Sequence, residues 1–482
     1  MRKQAGRDRD ALTGSVAGDA EHGAPSLTQA FARFLCHSRY SDLSPVEIRA
    51  AKNIFIDTIA ACLAGTREEP ARKVLRFLAR PPCGGPAVVV GSAVRTHPSM
   101  AALANGTLAH CLDYDDLSHP MMAHPSTVLV PVVLALADTG TVSGRDALLA
   151  YAAGLEVGAK LGRILNPGHY EKGWHGTSTL GVMAAASTAS RLLGLDRRRT
   201  SMALGLAASQ ASGLRRNFGT MAKPFHAGHA ARCGLESALL AASGFSAGRE
   251  VLEGPMGFLE LYGGGPPDPE RVRSVLASLG RPFELSASGL AVKLYPCCAG
   301  SHPAVDAVLL LRARAARPLD RLQRVVLRVH PLVPRMMIYD RPGTPLEAKF
   351  SLRYCAAAAL ADGQLTLASF APKSLRRRRT AHWMDRLEIL ADLEDDAGRT
   401  EIPTRAEAAF HWENGASDRL RVELPRGNPG NPLPDEFLRK KFLECAALAL
   451  PEKRVRTLLD LLERLEERKD LRELTRRLAA PV

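Results

Sequence analysis

Gly181-Val182-Met183-Ala184-Ala185-Ala186-Ser187 lies within a stretch, 177–193, whose apolar residues recur at helical spacing. Its side chains are nearly all small, and small residues let helix axes approach closely. The stretch therefore predicts one member of a tightly packed, mostly buried helical bundle. Similar stretches occupy 98–112, 126–138, 145–164, 197–213 and 227–243, with turn signals such as Gly140 and Gly194-Leu195-Asp196 between them. Upstream, Ser44-Pro45-Val46-Glu47 reads as a helix start. Ser44 is the N-cap, Pro45 takes the first position and Glu47 follows three residues after the cap. The likeness among the helices is one of composition without a strict period, so no solenoid is expected.

Gly263-Gly264-Gly265-Pro266-Pro267 marks a linker. Beyond it, Leu322 to His330 and Asp385 to Leu390 read as strands, with helical patterns at 302–315 and 347–361 between them. The stretch 433–480 is helical again, with Glu and Arg at three- and four-residue spacing. The expected architecture is mainly α with an α+β lid. Residues 26–265 and 405–482 form a helical domain, 266–404 form the lid, and 1–25 form a disordered tail.

A length of 482 residues with 46% hydrophobic and 24% charged residues excludes a disordered or fibrous chain. The 64 Lys and Arg exceed the 50 Asp and Glu by 14, and only 13 of those cations are lysine. Such a surplus suits an anionic partner. The run Arg376 to Arg379 lacks interleaved aromatics and reads as a solvated loop, so nucleic acid is not the expected partner. The longest apolar run, Val128 to Ala137, has ten residues, well short of the roughly 20 that span a bilayer. Nine cysteines, an odd number without a C-x-x-C pair, read as thiols in a cytoplasmic protein. No P-loop, G-x-G-x-x-G after a strand, H-E-x-x-H or G-x-S-x-G occurs.

Four clusters carry candidate chemistry. His110-Cys111-Leu112-Asp113-Tyr114-Asp115-Asp116-Leu117-Ser118-His119, followed by His124-Pro125-Ser126, gathers carboxylates and imidazoles that a buried helix end does not ordinarily hold. They suit acid/base work or a metal held by Asp113, His119 and His124. The bland alternative is capping, with Ser126 starting the next helix. Gly173-Trp174-His175 precedes a small-residue helix, whose N-terminus would keep the imidazole neutral. Met221-Ala222-Lys223-Pro224-Phe225-His226 sets a lysine before a proline, outside regular helix. Lys293-Leu294-Tyr295-Pro296-Cys297-Cys298-Ala299-Gly300-Ser301-His302 places a Gly-Ser-His turn at a helix start and a thiol near an imidazole.

These clusters, with Ala104-Asn105-Gly106-Thr107, Val251-Leu252-Glu253-Gly254-Pro255 and Ala348-Lys349-Phe350-Ser351-Leu352, resemble the MmgE/PrpD family from about residue 27 to 480. That family includes 2-methylcitrate dehydratase, cis-aconitate decarboxylase and an iminodisuccinate epimerase. The resemblance implies a helical domain built from both chain ends, a smaller lid, and a homodimer without cofactor or metal. It also implies a site between the domains for a small di- or tricarboxylate. The family's catalytic positions carry over to Asp113, His124, His175, Lys223 and His302, and its substrate pocket to Tyr339 and Ser301. Where members often read D-F-D-D-T-x-H, Leu117 follows Asp116 here and one extra residue precedes His124, leaving Ser118 as the nearby hydroxyl. The expected reaction is that of a dehydratase-like lyase, with epimerisation or decarboxylation as alternatives. Lys223 and His175 are expected to bind carboxylates, either of them also able to donate a proton, His302 and His124 to serve as acid and base, and Asp113 to orient a histidine or bind a substrate hydroxyl.

Overall fold

The computed structural model describes residues 26–79, 84–393 and 402–480; the tail expected over 1–25 lies outside them. The capping box read at Ser44 is present: its hydroxyl accepts from the Glu47 amide at 3.3 Å, and the Glu47 carboxylate accepts from the Ser44 amide at 2.7 Å. The same buried carboxylate takes the Phe283 amide at 3.2 Å, so one cap also fastens a remote turn.

The helix Gly176–Leu192 packs between Gly144–Leu165 and Ala222–Ala242, and the last of these crosses Pro98–His110. Every residue from Gly176 to Ser190 is buried. The small residues are a steric requirement of this crossing. A Cβ on Gly228 would stand 2.0 Å from the Leu103 carbonyl oxygen, and one on Gly106 would stand 2.8 Å from the Gly228 Cα. The Ala222–Ala242 helix begins earlier than its apolar pattern suggests. Pro224 falls in the first turn, where its missing N–H has no helical acceptor to lose. Lys223 thus lies inside the helix, contrary to the expectation from the following proline.

The lid is built on a four-stranded sheet ordered Leu387–Leu390, Leu322–Val329, Ala406–Trp412, Ser417–Val422. The first pair is parallel, with Val325 opposite Leu387. The others are antiparallel, with Val325 opposite Phe410 and Ala408 opposite Leu420. The helix His302–Arg314 covers the last two strands, and Leu352–Asp362 packs on that helix. Ser351 caps the latter, accepting from the Tyr354 amide at 3.1 Å, which splits the helical pattern expected over 347–361.

Both expected lid borders shift. Strands at 406–422 belong to the lid sheet, because Ala406–Trp412 needs Leu322–Val329 as its hydrogen-bonding neighbour. Phe283 and Leu285 bury themselves in the helical core, so the glycine-rich 263–267 stretch is a turn within that domain. The helices Asp435–Ala446 and Glu452–Glu463 return to pack on Pro45–Gly65. Among the described residues no helix is long and apolar enough to cross a membrane.

Gly228→Ala should destabilise the fold by about 2 kcal/mol through overpacking against backbone. Gly168→Ala, whose Cβ meets nothing within 4 Å, should leave the melting temperature nearly unchanged. Circular-dichroism melts compare the two; equal melting would refute the close-crossing argument.

Candidate active site

The helix Pro98–His110 ends in a loop whose Asp113 adopts φ +53°, a left-handed conformation uncommon for a residue with a Cβ. Three successive carbonyls of this loop accept from three buried lysines. Leu112 takes Lys349 at 2.9 Å, Asp113 takes Lys293 at 3.0 Å and Tyr114 takes Lys441 at 2.7 Å. The Asp113 carboxylate accepts from Lys223 at 2.6 Å and also from Lys293. Burial alone would raise its pKa, but the two ammoniums outweigh burial and hold the carboxyl well below the usual range.

The histidines gather beside this pair. The Asp115 carboxylate lies 3.0 Å from Nδ1 of both His110 and His124. His110 donates from Nδ1 to Asp115, and His124 donates from Nδ1 to the Asp116 carbonyl at 2.7 Å, which leaves each Nε2 as an acceptor. His124 Nε2 is 3.9 Å from Asp113. Burial lowers the pKa of His124 and brings His110 down to about 4, so both are neutral near pH 7. His175 occupies the N-cap position of Gly176–Leu192, as read from sequence, and its Nδ1 shares a hydrogen with that of His226 at 3.0 Å. Burial, then His226 and Lys223, keep it neutral as well.

Ser126 does not cap its helix; its hydroxyl bonds Asp116 and meets the Tyr151 hydroxyl at 2.7 Å. Burial pushes Asp116 up to about 8. Ser118 accepts from the Met121 amide at 3.4 Å, so this hydroxyl is used within its own loop. Lys223 lies under two rings, 5.4 Å from the centre of Phe218 and 4.9 Å from that of Phe350. The lid reaches over at this point, with the Tyr339 hydroxyl donating to the Phe218 carbonyl at 3.0 Å. Cys298 stands in the field of Asp113, Lys223 and Lys293, and burial raises its thiol to about 11, against a nucleophilic thiolate.

The structure thus brings Asp113, His124, His175 and Lys223 together. The His302 Nε2 lies 3.3 Å from the Cys297 carbonyl and its ring meets Tyr295 edge-on at 5.1 Å. It lines a small cavity with Lys293, the partner of Asp113, and with His119 and Arg426. Ser301 is fully buried and donates to the Cys298 carbonyl at 2.9 Å, which spends the hydroxyl expected for substrate on its own turn.

Among the described residues the metal set read from sequence does not assemble; His119 Nε2 instead lies 3.2 Å from the Asn428 side-chain nitrogen. Among the described residues His110, Asp115 and His124 could place three ligand atoms within 4.8 Å of one another. Here the Nδ1 hydrogens of His110 and His124 already go to Asp115 and to the Asp116 carbonyl, and the Lys223 cation acts on both histidines. That setting suits protons better than another cation.

Lys293, His110, Asp115 and His226 join the site without having been chosen from sequence, though all stand in the four clusters. A usable signal was lysine scarcity. Five of the 13 lysines, Lys160, Lys223, Lys293, Lys349 and Lys441, are buried. In a chain that otherwise uses arginine, each retained lysine was a candidate for an interior ammonium.

This fold and this charge cluster place the chain in a class: it belongs to the MmgE/PrpD family. The family's N-terminal domain matches residues 29–270 and its C-terminal domain matches 295–467. Among individual proteins it is similar to the cis-aconitate decarboxylase of Homo sapiens, 30% identical over 473 residues that cover 95% of each chain. The Mus musculus cis-aconitate decarboxylase is 29% identical over 95% of this chain and 94% of its own. That of Aspergillus terreus is 29% identical over 92% of this chain and 93% of its own.

His110, His169 and His226 each have a folded pKa of about 4, mainly from burial, against 6.5 in the unfolded chain. The unfolded state therefore binds more protons between these values, and stability falls as pH drops from about 6.5 through about 4. Melting temperatures measured from pH 7.5 to 4.5 should decline over that window. A flat profile would contradict neutral buried imidazoles.

Proposed function

We propose that this protein is a lyase that decarboxylates cis-aconitate or a closely similar tricarboxylate. The observation that carries the reading is the buried Asp113 carboxylate set between the ammoniums of Lys223 and Lys293 and faced by neutral imidazoles. Support also comes from full-length relatives that bear the name of this activity.

The chemistry follows from the charges. As the bond from carbon to CO₂⁻ breaks, its electron pair remains on carbon beside a carboxylate. Lys223 holds a substrate carboxylate and stabilises that charge in a dry site, where a fixed cation is worth far more than in water. A proton then forms the new C–H bond, from the Lys223 ammonium or through the His175–His226 pair. His124 exchanges protons through its Nε2, with the Asp116 carbonyl fixing its tautomer and Asp113 fixing the Lys223 ammonium. Tyr339 and Phe350 cover the substrate from the lid. The reading calls for no cofactor. A homodimer in a reducing cytoplasm belongs to the same proposal; the eight described cysteines are free thiols, which supports that compartment.

Water loss, the reaction expected from sequence, is the second reading. It is favoured by the neutral His124 Nε2, 3.9 Å from Asp113, since loss of water begins with a base that takes a proton from carbon.

Incubation with cis-aconitate, citrate and 2-methylcitrate in deuterated water, followed by NMR, separates the two. Release of CO₂ with an unsaturated dicarboxylate one carbon shorter supports the first reading. Loss or gain of water alone replaces it with the second, and no conversion overturns both. Lys223→Ala should lower turnover by at least about 10². Because burial lowers the pKa of His124 below 6.5, kcat/KM should stay level as pH falls to 6.5 and decline only below it. An acid limb above pH 6.5 would remove His124 from the role.

A further inference from the structure

We propose that Lys441, far along the chain in the helix Asp435–Ala446, is a positioning residue for the Asp113 centre. The inference rests on reading Asp113 as part of the active site. Lys441 is 2% exposed and donates to the Tyr114 carbonyl at 2.7 Å and the Lys293 carbonyl at 3.0 Å. The Asp57 carboxylate pairs with it as a third acceptor group by charge, 2.6 Å away. The Tyr114 ring lies 3.7 Å from the ammonium and covers it.

These acceptors belong to three separate parts of the molecule. Asp57 is in the helix Pro45–Gly65, itself fully buried. Tyr114 directly follows Asp113 in the loop. Lys293 lies 180 residues from Asp113 and bonds its carboxylate. One ammonium therefore fixes the backbone on the C-terminal side of Asp113 and the backbone of the lysine that pairs with it. If the pair with Asp57 were the whole role, the other two acceptors would not need to be the two segments that carry the site's charges. A compact ammonium can reach two carbonyls and a carboxylate that converge from different directions, whereas a guanidinium is bulkier and holds its donors in one plane, which fits lysine here in an arginine-rich chain. Reacting groups displaced by about 1 Å can lose on the order of 10² in rate. Releasing this node therefore changes turnover through Asp113, with no contact between Lys441 and substrate.

The test uses the full-length enzyme. Asp57→Leu/Lys441→Met removes both ends of the buried pair together, the replacement that folded proteins tolerate best. Lys441→Arg keeps the charge with the wrong geometry and serves if the double variant does not fold. Lys440→Gln, at a side chain 72% exposed, is the control. The folded variant should lose roughly tenfold to a hundredfold in kcat while KM moves less than about threefold. Its acid limb in kcat/KM, set by His124, should move to higher pH, as a loosened Lys293 depresses that imidazole less. Amide exchange over residues 110–118 should quicken, and Lys440→Gln should match the wild type in every measurement. Wild-type kcat and pH profile in a folded variant would overturn the proposal. If the wild type converts none of the tricarboxylates, the functional reading falls. Amide exchange still decides the node: faster exchange over 110–118 supports it, and unchanged exchange refutes it.

Discussion

A carboxylate buried between two ammoniums is the constraint around which this molecule is arranged. Taking Asp113, Lys223 and Lys293 out of water costs several kcal/mol per ion, which their mutual attraction offsets only in close geometry. That geometry needs a left-handed residue at 113, and such a conformation persists only where its surroundings over-determine it. The three lysines on the carbonyls of 112, 113 and 114 do this. They come from a lid segment, the stretch joining the domains and the C-terminal helix. The charged centre and the joining of the domains are thus one structural problem with one solution.

The imidazoles follow from the same centre. Burial and nearby ammoniums both disfavour imidazolium, so His110, His124 and His175 are neutral. Asp115 then selects the Nδ1–H tautomer at His110, and the Asp116 carbonyl selects it at His124. The result is a positive site lined by neutral bases, suited to an anionic substrate that gains or loses a proton. A loop alone could not hold it. The helices beneath approach so closely at Gly106 and Gly228 that their backbones touch, which keeps Lys223 in register with the loop.

Much of the fold was legible in the chain because helices and their caps are local. Ser44 and Glu47 form the capping box that their spacing specifies. The small-residue stretch at 176–192 is buried from Gly176 to Ser190, as its composition requires. The lid borders were not legible, since strands at 406–422 belong to the lid only through a partner some eighty residues earlier. Glycines at 263–267 look like a linker locally, yet Phe283 beyond them packs into the helical core. Lys223 misled in a similar way: a following proline disfavours helix in general but not in a first turn.

The sequence by itself determined the helices, their dense packing, the family likeness and most of the titratable residues, all encoded in local pattern and residue type. Only the tertiary structure decided which of those residues meet. It grouped Asp113 with Lys223 and Lys293, gave Asp115 two histidines, put His302 on a cavity with Lys293, and set the Ser301 hydroxyl on the Cys298 carbonyl. The physical reason is that a buried charge is defined by its partners. Those partners come from segments that only folding brings within hydrogen-bond reach.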